Sequence, residues 1–373
     1  MLTDRTPIIF VIMLSVLACF LPFISVGSVN LYLSEGLIYS SLPFLIFAKF
    51  RANWDLFTSL YILIIIGLFH GIVNNNITDA IIPIRMLVLF YVTFILIQNL
   101  TENTCQLAFK RALTVICIIY TAYIMNIVFS LISGEISPLD FLYNYELGRI
   151  KAFYENGTTS VVIGSLLSII FSIILCSKSI SNRRLFLIVL FTLGVLTASR
   201  ANILSNVTSL VTYHLMLKPT PSIRWLCSSL IVGLIIVLAT YIIMLKILLA
   251  DVQIDGSAST RLRYYLVAIN SAATVRDLMF GHGFSEEILH TKFNISFFES
   301  FFFNTYMQAG LIGLFAGTYF INRIILIYKL GPRSTLTIIS GLLIGNLIGG
   351  ASLFSIFVLP FMLLGLRYLQ TER

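Results

Sequence analysis

Trp54-Asp55-Leu56-Phe57-Thr58-Ser59-Leu60-Tyr61-Ile62-Leu63-Ile64-Ile65-Ile66-Gly67-Leu68-Phe69-His70-Gly71-Ile72-Val73 is the stretch that decides the fold class of this chain. After Asp55 it holds no carboxylate, ammonium or guanidinium group. A helix needs about 20 predominantly apolar residues to cross a hydrocarbon core, and this run has that length. Asn74-Asn75-Asn76 breaks it, and a second apolar run follows over 80–99. Two such runs joined by a short polar turn read as a pair of membrane-crossing helices, because backbone groups in lipid must find their partners within the segment.

The same pattern extends over the whole chain. Of the 373 residues 58% are hydrophobic and only 11% charged, with a mean hydropathy of +0.97. A soluble domain keeps about 25% of its residues charged to coat its surface, so the surplus apolar surface here faces lipid. We expect spans near 7–25, 29–48, 54–73, 80–99, 108–132, 158–176, 184–198, 201–217, 223–249, 299–321, 335–349 and 352–368, about twelve in all. The expected fold is an all-α, polytopic, single transmembrane domain over 1–373. Arg5 followed by an apolar run resembles a signal peptide, but the run continues past Val16-Leu17-Ala18-Cys19, so we read an uncleaved first helix.

Charge sets the expected orientation. Most of the 24 basic residues lie in or beside alternate gaps, at Lys49, Arg51, Lys110, Arg111, Lys178, Arg183, Arg184, Lys218, Arg224, Arg323, Lys329 and Arg333 among others, while the gaps at 26–28, 74–79 and 350–351 carry none. The positive-inside rule then puts both termini in the cytoplasm of a bacterial inner membrane, with long periplasmic loops at about 133–157 and 250–298. The net charge of +8 follows from this topology and implies no nucleic-acid partner. The five cysteines lie in or beside apolar runs, with no Cys/His spacing of a metal site and no disulfide framework.

Polar residues near the outer ends are the candidates for chemistry. Arg200 follows Ser199 at an outside turn and opens a helix bearing Asn202, Ser205 and Asn206; a helix start with an added guanidinium suits a phosphate, although an interfacial Arg also snorkels to water. In the second loop Leu262, Tyr265, Leu266 and Ile269 form a helical stripe flanked by Arg261 and Arg263, which serve either as surface anchors or as phosphate donors. Gly281-His282-Gly283-Phe284 is a glycine-framed turn whose histidine is a base or an ordinary solvated side chain. Glu299, among Phe298, Phe301 and Phe302, is either a general base tuned by its apolar surroundings or a first-turn Glu favoured by the helix dipole. In the first loop Tyr143, Tyr145, Phe153 and Tyr154 interleave with Glu146, Arg149 and Lys151, a composition that suits sugar rings and, more commonly, an interfacial aromatic belt. His70 and His214, near span ends, are read as ordinary.

Thr197-Ala198-Ser199-Arg200, Ser259-Thr260-Arg261-Leu262-Arg263, Phe280-Gly281-His282-Gly283-Phe284 and Gln308-Ala309-Gly310-Leu311-Ile312-Gly313-Leu314 occur in that order. In this order and layout, over roughly 185–320, the chain resembles the O-antigen polymerase and ligase superfamily. Ligases of that superfamily carry a His and a small polar residue shortly before the glycine pair matched by Gly310 and Gly313; Glu299-Ser300 stands there instead, which looks more like a Wzy-type polymerase. The resemblance implies a membrane glycosyltransferase of GT-C-like architecture. Its donor would be a glycan on undecaprenyl diphosphate, and it would work in lipopolysaccharide biosynthesis without cofactor or metal. A Wzz-type chain-length regulator and a flippase are the implied partners. By position Glu299 becomes the base, with His282 as the other candidate. Arg200 and Arg261 or Arg263, with Arg149 and Arg276 as second choices, would neutralise the leaving diphosphate. A ligase, and a lipid-linked-oligosaccharide transporter with its site at the midplane, are the competing readings.

Overall fold

The computed structural model describes residues 22–26, 29–40, 54–135, 158–196, 200–216, 263–264, 266–268, 270–294, 301–348 and 358–372. Its first element departs from expectation. Strand β1, Pro22–Val26, pairs antiparallel with β2, Val29–Tyr32, and the chain then enters a short helix α1, Leu33–Tyr39. The end of the expected 7–25 span and the start of the 29–48 span are therefore strand. Val26 opposes Val29 across Gly-Ser at 27–28, the dipeptide class that closes a two-residue hairpin, and an apolar run of this size cannot be told from strand by hydropathy alone.

From Trp54 onward the described chain is helical: α2, Trp54–Val73; α3, Thr78–Gln98; α4, Glu102–Ile132; α5, Thr158–Cys176; α6, Arg183–Leu196; α7, Arg200–Leu215; α8, Val275–Phe280; α9, Glu286–Phe293; α10, Phe301–Ile327; α11, Pro332–Ile348; and α12, Leu359–Thr371. Helix α2 keeps the expected bounds. Four segments, Leu56–Val73, Thr78–Gln98, Glu102–Ala122 and Phe302–Ile327, are long and apolar enough to cross a membrane. The protein is a helical membrane protein. The expected 223–249 span and most of the 7–25 span lie outside the described residues.

Local chemistry starts and stops these helices. Thr101 accepts a hydrogen bond from Thr104 N and caps α4, with Glu102 in the first turn where the helix dipole favours it. At the far end Glu372 accepts from the Ser177 and Ser179 hydroxyls and the Lys178 N–H, tying α12 to the α5–α6 turn. Gln106 Nε2 donates to Thr371, so the α3–α4 turn lies at this same end. Among the described residues, the turns at 99–101 and 177–182 and the end of α12 thus lie together at one end of the bundle. The 74–77 turn, on the other side of α3, marks the opposite end.

Packing inside the bundle follows the rule for membrane interiors, where lipid removes the hydrophobic drive between helices and close approach replaces it. Helices α5, α7 and α11 meet along small polar residues: Ser172 Oγ lies 2.8 Å from Ser209 Oγ, and Ser205 Oγ donates to Gly341 O at 2.7 Å. A Cβ on Gly341 would stand 2.2 Å from Ser209 Oγ, so only glycine lets α7 and α11 come this close. Elsewhere Phe109 of α4 stacks on Tyr368 of α12 at 4.4 Å, and Phe90 of α3 meets Phe320 of α10 edge to face at 4.7 Å. Leu185, Ile188, Phe129, Ile132 and Phe315 point outward and are exposed, as lipid-facing side chains are.

Candidate functional site

The candidate site forms at the end marked by the 74–77 turn. Asn75 there has φ +50, Asn74 N–H returns to His70 O, and Asn76 Oδ1 caps Thr78 N, so three asparagines build the reversal between α2 and α3. Asp79 follows in the first turn of α3 and is fully buried. Its carboxylate accepts from Asn74 Nδ2 at 3.0 Å and from Ser285 N–H at 2.6 Å, 206 residues away in sequence.

The second loop docks onto this turn. Thr274 caps α8 by accepting from Asp277 N, and α8 ends at Gly281 with φ +75. From there the backbone runs alongside the start of α10: His282 N donates to Met307 O at 2.8 Å and Gly283 N to Gln308 O at 3.0 Å. Gly310 interrupts α10 with φ +65 and ψ −163. A Cβ on Gly281 would lie 2.6 Å from the Gln308–Gly310 backbone, and one on Gly310 would lie 2.4 Å from Met279 C and O. The two glycine motifs that carry the family resemblance therefore contact each other backbone to backbone. The α2–α3 turn clamps them from below, through His70 Nε2 to Phe280 O at 2.8 Å, Asn74 Nδ2 to His282 O at 3.1 Å and Asn76 Nδ2 to Ser285 Oγ at 3.1 Å.

His282 sits at the centre with 6% exposure, which removes the solvated-loop reading. Its Nδ1 lies 4.0 Å from Asp277 Oδ1, and its Nε2 is buried with no hydrogen-bond partner. Burial pulls its pKa below the usual imidazole value, against the opposing pull of the Asp277 charge, so the ring is neutral at pH 7. Burial pushes Asp277 up, but the Thr274 hydroxyl, His282 and Arg276 outweigh this and hold its carboxyl below the usual range. A neutral imidazole with an unpartnered nitrogen is able to accept a proton from a hydroxyl that reaches it.

Among the other residues singled out from sequence, Arg276 reaches this site but pairs with Asp277 at 3.3 Å and is about half exposed. Arg263 is exposed on a helical stretch whose inward face is Tyr264, Val267 and Ala268, packed on Leu289 and Met307. Of the expected stripe only Leu266 lies among the described residues, and it is 42% exposed. Arg200 opens α7 as expected, and Asn202, Ser205 and Asn206 on that helix are buried in the bundle, the Asn206 amide without a partner. Arg149, Arg261 and Glu299 lie outside the described residues, as does the side chain of Arg200. Asp79 and the clamping role of His70 escaped the sequence reading; a carboxylate immediately before the expected 80–99 span was the available signal. Among the described residues no group of three or more His, Cys, Asp or Glu stands close enough to hold a metal ion. No protein-family model matches the chain, and no curated protein matches it.

Proposed function

We propose that this chain is a membrane glycosyltransferase that polymerises undecaprenyl-diphosphate-linked repeat units, of O-antigen or capsule type, at the periplasmic face of the inner membrane. The observation that carries the reading is the docking of Gly281-His282-Gly283 on the start of α10, which leaves a buried, neutral His282 with its Nε2 unpartnered. In the proposed reaction the acceptor sugar hydroxyl loses its proton to His282 or to Glu299. Its oxygen attacks the donor's anomeric carbon, and the bond to the diphosphate breaks, leaving undecaprenyl diphosphate. Arg200, Arg261 or Arg263 meets the charge that develops on that leaving group; Arg149 and Arg276 stand in reserve. The basic gaps at the Glu372 end support a cytoplasmic C-terminus and, with it, an outer position for His282. The twelve spans and the GT-C-like architecture belong to the same proposal, as do a Wzz-type regulator and a flippase as partners.

The test is reconstitution of the purified chain in liposomes with a lipid-linked repeat unit, reading polymer length on a gel. Wild type is expected to elongate. His282→Ala or Glu299→Gln, whichever removes the base, loses about 10²- to 10⁴-fold in rate, and Arg200→Ala loses polymer at normal protein level. Translocation of the glycan without elongation, or wild-type chain lengths in all three variants, would overturn the proposal.

A further inference from the structure

At the opposite end of the bundle from His282, the end of α5, the start of α6, the end of α7 and the start of α11 line an open cavity of about 770 Å³. Arg183, Arg184, Arg333, His214 and Tyr213 line it together with leucines, and among the described residues no carboxylate does. Part of this basic chemistry is structural. Arg183 Nη2 donates to Leu175 O and Arg333 Nε donates to Tyr213 O at 3.1 Å, so each guanidinium closes the C-terminal turn of a helix. Tyr213 lies under both, with the Arg333 carbon 3.4 Å and the Arg183 carbon 5.2 Å from its ring centre.

Capping leaves donors over. Arg183 Nε and Arg333 Nη2 are buried with no hydrogen-bond partner. Three like charges around one cavity repel, and an anion held there would relieve that repulsion. The walls say which anion. Leu185 and Leu210 line the cavity and are 60% and 37% exposed, and the adjoining Val211 and Leu215 are exposed as well. On a membrane bundle such side chains face acyl chains. Positive donors at the headgroup level, with apolar walls beneath them, match a molecule that is anionic at one end and hydrocarbon at the other.

We propose that this cavity is a binding site for the phosphate headgroup of an anionic phospholipid from the leaflet on that side. The inference does not rest on glycosyl transfer at His282. Its test is native mass spectrometry of the delipidated full chain in detergent, titrated with phosphatidylglycerol, phosphatidylethanolamine or inorganic phosphate. We expect a saturable adduct with phosphatidylglycerol, weakened about tenfold by Arg333→Gln through loss of a charge-assisted contact. Lys110→Gln, which removes the same charge from an exposed site at the same end, should leave it unchanged. Leu210→Trp, which fills the cavity and leaves every arginine in place, should also weaken it, and guards against a folding defect in Arg333→Gln. Equal affinity for phosphatidylethanolamine, displacement of the lipid by an equal concentration of inorganic phosphate, or binding unaffected by Leu210→Trp would each overturn the proposal.

Discussion

Replacing Gly310 by alanine tests whether the contact between the two glycine motifs holds the site together. Gly310 has φ +65 and ψ −163, a conformation nearly restricted to glycine that costs another residue about 1–3 kcal/mol. Its new Cβ would also stand 2.4 Å from Met279 C and O and 2.5 Å from Phe280 N. Those are backbone atoms of a capped turn, so relief requires the 279–284 segment to lift from α10. Lifting breaks the bonds from His282 N to Met307 O and from Gly283 N to Gln308 O, at about 1 kcal/mol each. The total is about 3–5 kcal/mol, the sum of the backbone and hydrogen-bond costs. Gly134→Ala is the matched control: φ is +77 there, but no atom lies within 4 Å of the added Cβ, so only the backbone cost applies, about 1–2 kcal/mol. The assay is thermal loss of monodisperse protein in detergent, run beside exchange of the 282 and 283 amides. Gly310→Ala should unfold several degrees below Gly134→Ala and lose protection at those two amides. Equal midpoints for the two variants, with both amides still protected, would refute the account of the glycine contact.

Three further outcomes follow from the same structure. Asp79→Ala strands the buried Ser285 N–H and the Asn74 amide and should cost about 2 kcal/mol, read as faster exchange over 281–286, whereas Asp79→Asn retains an acceptor and should cost less. In the liposome assay the elongation rate should fall on acidification as His282 takes a proton; because the Asp277 charge raises the His282 pKa, Asp277→Asn should move this acid limb to lower pH, and an unmoved limb would argue that His282 is not the titrating base. Glu372 is held below the usual carboxylate range, since its bonds from Ser177, Ser179, Tyr368 and Lys178 outweigh burial; its stabilising share is present above the unfolded carboxylate value and lost as pH falls through the lower folded value, so Glu372→Gln should flatten the acid side of a stability–pH curve below about pH 4.5.

Hydropathy alone located α2 to its observed bounds and came within a few residues for α3, α5, α6 and α7, because lipid solvates a segment residue by residue and the sum along it is a local property. The same property explains where it failed: at 22–32 a short apolar run satisfies strand and helix alike, and the partner strand decided. Of the turns that gap charge assigns to the inner side, those at 99–101 and 177–182 lie together beside Glu372. What no local property carries is pairing across the chain. His70 with Phe280, Asp79 with Ser285 and Gly281 with Gly310 join residues separated by up to 210 positions. From sequence His282 stays open between a base and a solvated loop histidine, and the packing of α10 and the α2–α3 turn buries it. Tertiary structure settled its environment because burial belongs to whatever the fold lays over a residue, and the residue's own neighbours in sequence do not contain that information.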